Sequence, residues 1–399
     1  MRRILSPIKM IAVLMYLAGA VCLWEITRKI ESSFFSTAIL LIYISVGGIA
    51  LVVLWRHPFG KRAVEAGLLS IGFVNHLGET PKLVRKYCDA HHPHMTVFEF
   101  KNPGIPLTTW ETKQPALEAG LNKTILRMNY RRGKRRVQVC AVSAQNDVPT
   151  KLLWQDKYLS LEEFTLVLGE SLLGPVTLDL SHIPHVLLGG ASGSGKSVLL
   201  KLLLMQSLHK GAVVCISDFK GGVDFPPIWH EKCRMCFEET DLLALLYELV
   251  DELERRKMLF RNAECPDIVE YNKTTGRALR HYIFACDEVA EVLDKTGRSK
   301  EQKELLSQIE SKLSIIARQG RAFGIHLILA TQRPDANLIP GQVRTNLGCR
   351  ICGRADGILS QIILDDTTAA EQIPKDARGR FILHDGTLFQ SYWFDEHCI

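Results

Sequence analysis

Gly190-Ala191-Ser192-Gly193-Ser194-Gly195-Lys196-Ser197 decides how this chain of 399 residues is read. The stretch matches G-x-x-x-x-G-K-[ST], where a glycine-rich turn closes backbone N–H groups around phosphate oxygens at the positive end of a helix. Its surroundings fit the motif. The apolar run His185–Leu188 predicts a strand before it, and Ser197–Leu208 predicts an apolar helix after it. Gly190, Ala191, Ser192, Gly193, Ser194 and Gly195 then form the phosphate cradle. Lys196 is placed to reach the β- and γ-phosphates, and the Ser197 hydroxyl to ligate Mg²⁺. The motif therefore reads as a site for ATP with Mg²⁺.

Outward from this point, short apolar runs alternate with longer helical stretches. The runs are Val186–Leu188, Ala212–Ile216, Tyr282–Cys286 and Ile325–Ala330. The pattern predicts an α/β fold with a parallel sheet, whose strands deliver loops to a site at their carboxyl edge. Tyr282–Cys286 runs into Asp287 and Glu288. Asp287 is suited to hold the Mg²⁺, usually through water, and Glu288 to orient and deprotonate an attacking water. Paired with the glycine-rich loop about ninety residues upstream, the two carboxylates argue for hydrolysis over binding alone. A third run, Ile325–Ala330, leads into Thr331-Gln332-Arg333-Pro334. The Gln332 amide at that strand end is placed to touch the γ-phosphate or the water, with a plain loop as the alternative.

Composition excludes a disordered or fibrous chain: 47% of residues are hydrophobic and 23% charged. A mean hydropathy of +0.05 directs attention to membrane segments. Phe34–Trp55 is 22 residues without a charge, about 33 Å as a helix. Met10–Trp24 is shorter and reaches spanning length from Ile4 onward if Lys9 snorkels. Arg2, Arg3 and Lys9 flank one run, and Arg56, Lys61 and Arg62 the other, which predicts a two-span hairpin in the cell membrane with both termini cytoplasmic. A cleaved signal peptide ending near Ala20 is the alternative, and the second span following at once speaks against it. The whole +6 excess of charge lies in residues 1–62, so the basic isoelectric point reports topology and not affinity for nucleic acid. Eleven scattered cysteines read as reduced, buried thiols. Cys233/Cys236 and Cys349/Cys352 have zinc-like spacing, but both pairs fall in strand-like segments, where residues three apart face opposite ways.

These signals divide the chain into a membrane hairpin (1–57), a small α+β region (58–164) and a nucleotide-hydrolysing motor (165–399). In the middle region Met95–Phe100 and Val137–Val142 predict strands. A helix is expected between them, capped at Thr108 or Thr109 and running to about Met128 despite Pro115. Arg127, Arg131, Arg132, Lys134, Arg135 and Arg136 crowd one stretch with no acid. A solvated hairpin turn centred on Gly133 and a contact to a polyanion both account for it.

Several further strings fall in one order. They are Ile183-Pro184 with His185–Ser197, Asp251–Arg256, Ile268–Asn272, Gly324–Pro334 and Arg344–Arg350. Over about 165–395 the chain resembles the FtsK/SpoIIIE DNA translocases. The resemblance implies a RecA-like P-loop motor that forms a homo-hexamer and pulls double-stranded DNA through its channel using ATP. It also implies an arginine supplied by the neighbouring subunit at the γ-phosphate, with Arg321, Arg350 and Arg354 as candidates. Arg378-Gly379-Arg380-Phe381 resembles the closing Gly-Arg-Gly strand of that family with its order changed. Members that act in cell division carry four spans, a long linker and a winged-helix module, and this chain shows two spans and almost no linker. Its plan is similar to the coupling proteins of Gram-positive conjugative elements, which implies DNA, a membrane, a relaxase and transfer-channel proteins as partners. A chromosome-segregation translocase, an ESX-like protein-secretion motor and a nucleotide-gated scaffold without turnover are the competing readings.

Overall fold

The computed structural model describes residues 7–27, 33–56, 60–90, 92–131, 133–145, 147–332, 339 and 341–396, with side chains of the first two helices described over 13–27 and 37–49. The chain divides into two compact units, Met1–Asp147 and Val148–Ile399.

The first unit opens with helices α1 (Pro7–Thr27) and α2 (Ser33–Arg56). They clasp through two tyrosines. Tyr16 and Tyr43 stack with centroids 5.3 Å apart, the Tyr16 hydroxyl donates to Ile44 O, and the Tyr43 hydroxyl donates to Tyr16 O. Each ring lies where a side chain on Gly47 or Gly19 would sit. Among the described residues no helix is long and apolar enough to cross a membrane. The transmembrane hairpin expected from Met10–Trp24 and Phe34–Trp55 is therefore unsupported here. The flanking Arg2 and Arg3 lie outside the described residues.

Beyond α3 (Lys61–Ser70), an antiparallel sheet has the order β1 (Lys82–Cys88), β2 (Thr96–Lys101), β4 (Arg136–Ser143), β3 (Lys123–Tyr130). The expected strands are β2 and β4. The single helix expected to run to about Met128 is corrected to α4 (Leu107–Thr112) and α5 (Gln114–Leu121), followed by β3. Lys113 breaks it and Pro115 restarts it in the first turn of α5, where a missing N–H costs nothing. The cap is Pro106, not Thr108 or Thr109. Asn122 then takes the left-handed conformation that ends α5. Leu68, Phe73, Phe98, Phe100, Trp110 and Leu117 form the core. β3 and β4 close the hairpin around Gly133. Glu99, 1% exposed, takes Arg136 at 2.6 Å and Arg131 at 3.5 Å, so part of the basic stretch is neutralised inside the sheet. Arg132 lies outside the described residues.

The second unit is built on one ten-stranded sheet. Its strands are β5 (Thr165–Ser171), β6 (Gly174–Asp179), β7 (His185–Gly189), β8 (Val213–Ser217), β9 (Arg234–Cys236), β10 (Tyr282–Cys286), β11 (Ile325–Thr331), β12 (Cys349–Cys352), β13 (Arg380–Leu383) and β14 (Leu388–Ser391). They lie in the order 6-5-14-13-12-7-11-10-8-9, and the six from β12 to β9 are parallel. Alternate residues feed two cores, as a sheet buried on both faces requires. Leu187, Phe284, Leu327 and Leu329 enter one core; Val186, Leu188, Ile283, Ala285 and Ile328 enter the other. Helix α6 (Lys196–His209) covers the second face, while α7 (Glu239–Asn262) and α8 (Lys300–Gln319) pack on the first. Residues 148–164 belong to this unit: Leu153 bridges to Trp393, and Trp154 packs edge-on against Tyr392. The metal reading of the cysteines gains nothing, since no metal-holding cluster of His, Cys, Asp or Glu occurs among the described residues. Burial instead pushes the Cys349 and Cys352 thiols up to about 12.

Candidate nucleotide site

The strand-to-helix turn 190–195 sits between β7 and α6, at the carboxyl edge of the parallel strands. Gly195 has φ +100°, and a Cβ there would meet Gly379 N at 2.9 Å, so only glycine lets the turn lie against the next loop. That loop and the one after β12, which carries Arg354, together grip the turn in three places. Gly379 N–H donates to Ser194 O at 2.8 Å, Arg354 Nη2 donates to Ser192 O at 2.6 Å, and Ala191 N–H donates to Arg354 O at 2.7 Å. A second Arg354 nitrogen reaches Lys375 O at 2.7 Å. Beside Gly193, Gly195 and Val198 opens a cavity of about 860 Å³, walled by Leu152, Pro374, Tyr392 and Trp393.

The expected catalytic groups converge. Lys196 Nζ donates to Asp287 Oδ1 at 2.8 Å and to Asp287 O at 2.5 Å, and Ser197 Oγ donates to the same carboxylate oxygen at 3.2 Å. Lys196 is 3% and Asp287 1% exposed. Burial opposes the Asp287 charge, but Lys196 and Lys220 outweigh it and hold the carboxyl below its ordinary range. On Asp287 Oδ2 lies Lys220 Nζ at 3.3 Å, itself 2.9 Å from Asp224. Glu288 faces β11: Thr331 Oγ1 donates to Oε1 at 2.7 Å, and Gln332 N–H donates to Oε2 at 2.9 Å. Gln332 thus meets the site through its backbone. Arg333 and Pro334 lie outside the described residues.

The three candidate arginines separate. Arg350 on β12 pairs with Asp365, which Arg344 also holds at 2.9 Å. Arg321 donates to Ser181 O at 3.2 Å. Arg354 reaches the glycine-rich turn of its own chain. Sequence reasoning missed Lys220 and the pinning role of Thr331. Asp218-Phe219-Lys220-Gly221-Gly222, an acid and a glycine pair just past a strand, was the available signal for Lys220. No local pattern marks Thr331.

Comparison with known proteins gives the family. The FtsK/SpoIIIE family profile matches residues 158–315. A conjugation coupling protein, TcpA of pCW3, solved as a monomer with ATPγS, is 35% identical, covers 84% of this chain and 96% of its own, and superposes with a TM-score of 0.63. The chain belongs to the FtsK/SpoIIIE family. It is a P-loop ATPase. Among curated FtsK/SpoIIIE relatives, the DNA translocase SftA of Bacillus subtilis is 31% identical over 54% of this chain. The DNA translocase FtsK of Helicobacter pylori strain 26695 is 29% identical over 56%. The chain spans about a quarter of each of those relatives, 23% and 28% respectively.

Proposed function

We propose that this FtsK/SpoIIIE chain is a membrane-anchored motor that hydrolyses ATP and moves DNA, serving as the coupling protein of a conjugative transfer channel. The observation that carries the reading is the match to TcpA over 96% of that protein's length, whereas the curated translocases match over about a quarter of theirs.

In this reading the triphosphate enters along the 190–195 turn, and base and ribose take the adjoining cavity. Lys196 leaves Asp287 for the β/γ-phosphates, a short swing for an ammonium already at the turn. Ser197 Oγ and Asp287 Oδ1, two hard oxygens 3.2 Å apart, suit Mg²⁺ and would hold it. The ion's part is to neutralise phosphate charge. Glu288, fixed by Thr331 and Gln332, accepts the proton of the attacking water. With Arg354 bound to its own turn, Arg321 and Arg350 are the candidates to act on a neighbour in a hexameric ring.

The anchor is α1 and α2. Their sequence runs are uncharged, and Leu14, Met15, Val21, Trp24, Leu41, Ile42, Val46 and Ile49 are exposed. Both termini are then cytoplasmic, and relaxase and channel proteins are the partners. ATP hydrolysis by the purified chain, measured with double- and single-stranded DNA across a salt series, tests the proposal. DNA stimulation that falls steeply with salt supports it. Turnover indifferent to DNA sinks it.

A further inference from the structure

Asp287 carries more positive charge than it needs. Lys196 on Oδ1 already balances the buried carboxylate, yet Lys220 occupies Oδ2 at 3.3 Å. The lysine arrives on a loop made to place it. Ser217 pairs with Cys286 in the parallel register, so Asp218 and Asp287 leave adjacent strands side by side. Asp218 Oδ1 accepts the Lys220 N–H at 3.0 Å and sets the turn, and Asp218 N–H is itself tied to Cys236 O at 3.0 Å. Gly221 and Gly222 follow with φ +74° and +81°, a sequence of left-handed residues that side chains resist. Lys220 is 40% exposed where Lys196 is 3%, and its second partner, Asp224, lies on the solvent side at 2.9 Å.

We infer that Lys220 is the resting counter-ion of the divalent-cation position: it occupies Asp287 while the site is empty, competes with the incoming cation, and passes to Asp224 when the cation binds. The inference rests on the ATP·Mg²⁺ reading of this site. When Lys196 moves to the phosphates, Asp287 would be left buried and uncompensated, and Lys220 covers it through that interval. A dication on Asp287 repels an ammonium a few ångströms away, and Asp224 already holds that ammonium for release. Among the described residues Lys196 and Lys220 are the cations paired with Asp287, and Lys196 is the one committed to phosphate.

The test is the affinity of the nucleotide-free full chain for Mn²⁺, read as free Mn²⁺ by electron paramagnetic resonance, which needs no turnover. Lys220→Met is expected to tighten Mn²⁺ about fivefold, because one competing charge is gone. Asp224→Asn is expected to weaken it about threefold, because the ammonium then has only Asp287. Lys220→Arg keeps the charge and should stay within about twofold of the parent. Opposite shifts in the first two variants support the proposal. Unchanged or weaker Mn²⁺ binding in Lys220→Met, or equal or tighter binding in Asp224→Asn, overturns it. Asp287→Asn separates the two levels: undiminished Mn²⁺ binding there removes the metal reading itself.

Discussion

Lys196, Ser197 and Asp287 are bonded to one another here, and two of the three are almost wholly buried. Removing one partner therefore has two effects. Lys196→Ala loses the phosphate contact and also strips Asp287 of its main counter-charge. We expect nucleotide binding and turnover both to vanish, checked by equilibrium binding of a fluorescent ATP analogue alongside phosphate release. Glu288→Gln differs, since glutamine keeps an oxygen for Thr331 but accepts no proton. Nucleotide affinity should hold while turnover falls by about 10²–10⁴-fold; retained turnover would dismiss Glu288 as the base. Thr331→Val removes one of the two bonds that fix Glu288, at about 1 kcal/mol. The expected signature is a lower kcat with unchanged nucleotide affinity, and an unchanged kcat would make Thr331 merely a core residue.

At the level of elements, two buried polar groups tie strand ends together on the edge of the sheet away from the nucleotide. Arg256 on α7, 1% exposed, donates to Glu252, to Phe323 O at 2.5 Å and to Arg280 O at 2.7 Å. It thereby fixes the segments entering β10 and β11. Arg256→Met should cost about 3 kcal/mol in urea unfolding, from the buried Phe323 and Arg280 carbonyls left without their charged donor, while Arg255 still holds Glu252. His185, His281 and His326 form the second group. Pro184 O accepts from His326 Nδ1, so His326 Nε2 accepts from His281 Nδ1, and Leu327 N–H donates to His185 Nδ1. All three rings are neutral. Burial is the leading cause, and it lowers them to about 3 (His185), about 3 (His281) and about 4 (His326). Unfolded histidines protonate near 6.5, so the unfolded state gains protons first on acidification. Stability is full above pH 6.5 and drains as pH falls toward 4, on the order of 2 kcal/mol per ring by pH 5. Urea midpoints of the chain at pH 7.5 and 5.0 measure this, and coincident midpoints would contradict it.

For the whole molecule, the N-terminal pair of helices and the nucleotide-binding unit place opposite demands on solvent. The outward residues of α1 and α2 are large and apolar, and the Tyr16/Gly47 and Tyr43/Gly19 contacts hold the two helices face to face. If lipid covers those faces, the chain stays with membranes through an alkaline wash, and Gly47→Leu, which drives a side chain into the Tyr16 ring, separates the pair. Recovery of the full chain in the soluble fraction would argue against an anchor.

What the sequence determined by itself was local and periodic. The glycine turn, the strand runs and the Asp287–Glu288 step are each written in neighbouring residues, because a phosphate cradle and a strand end need particular side chains at fixed spacing. Even the two cores follow from alternation along β7, β10 and β11. The helix expected to reach about Met128 failed because Lys123–Tyr130 pairs with β4, and strand pairing is set by a partner distant in the chain. The basic stretch stayed ambiguous for the same reason: Glu99, which neutralises Arg131 and Arg136, comes from another strand. Only the tertiary structure decided that Lys220 sits on Asp287, that Thr331 holds Glu288, and that Arg354 serves its own glycine turn. Those contacts join residues 40 or more positions apart, and no spacing rule along one chain encodes which loops a sheet will bring together.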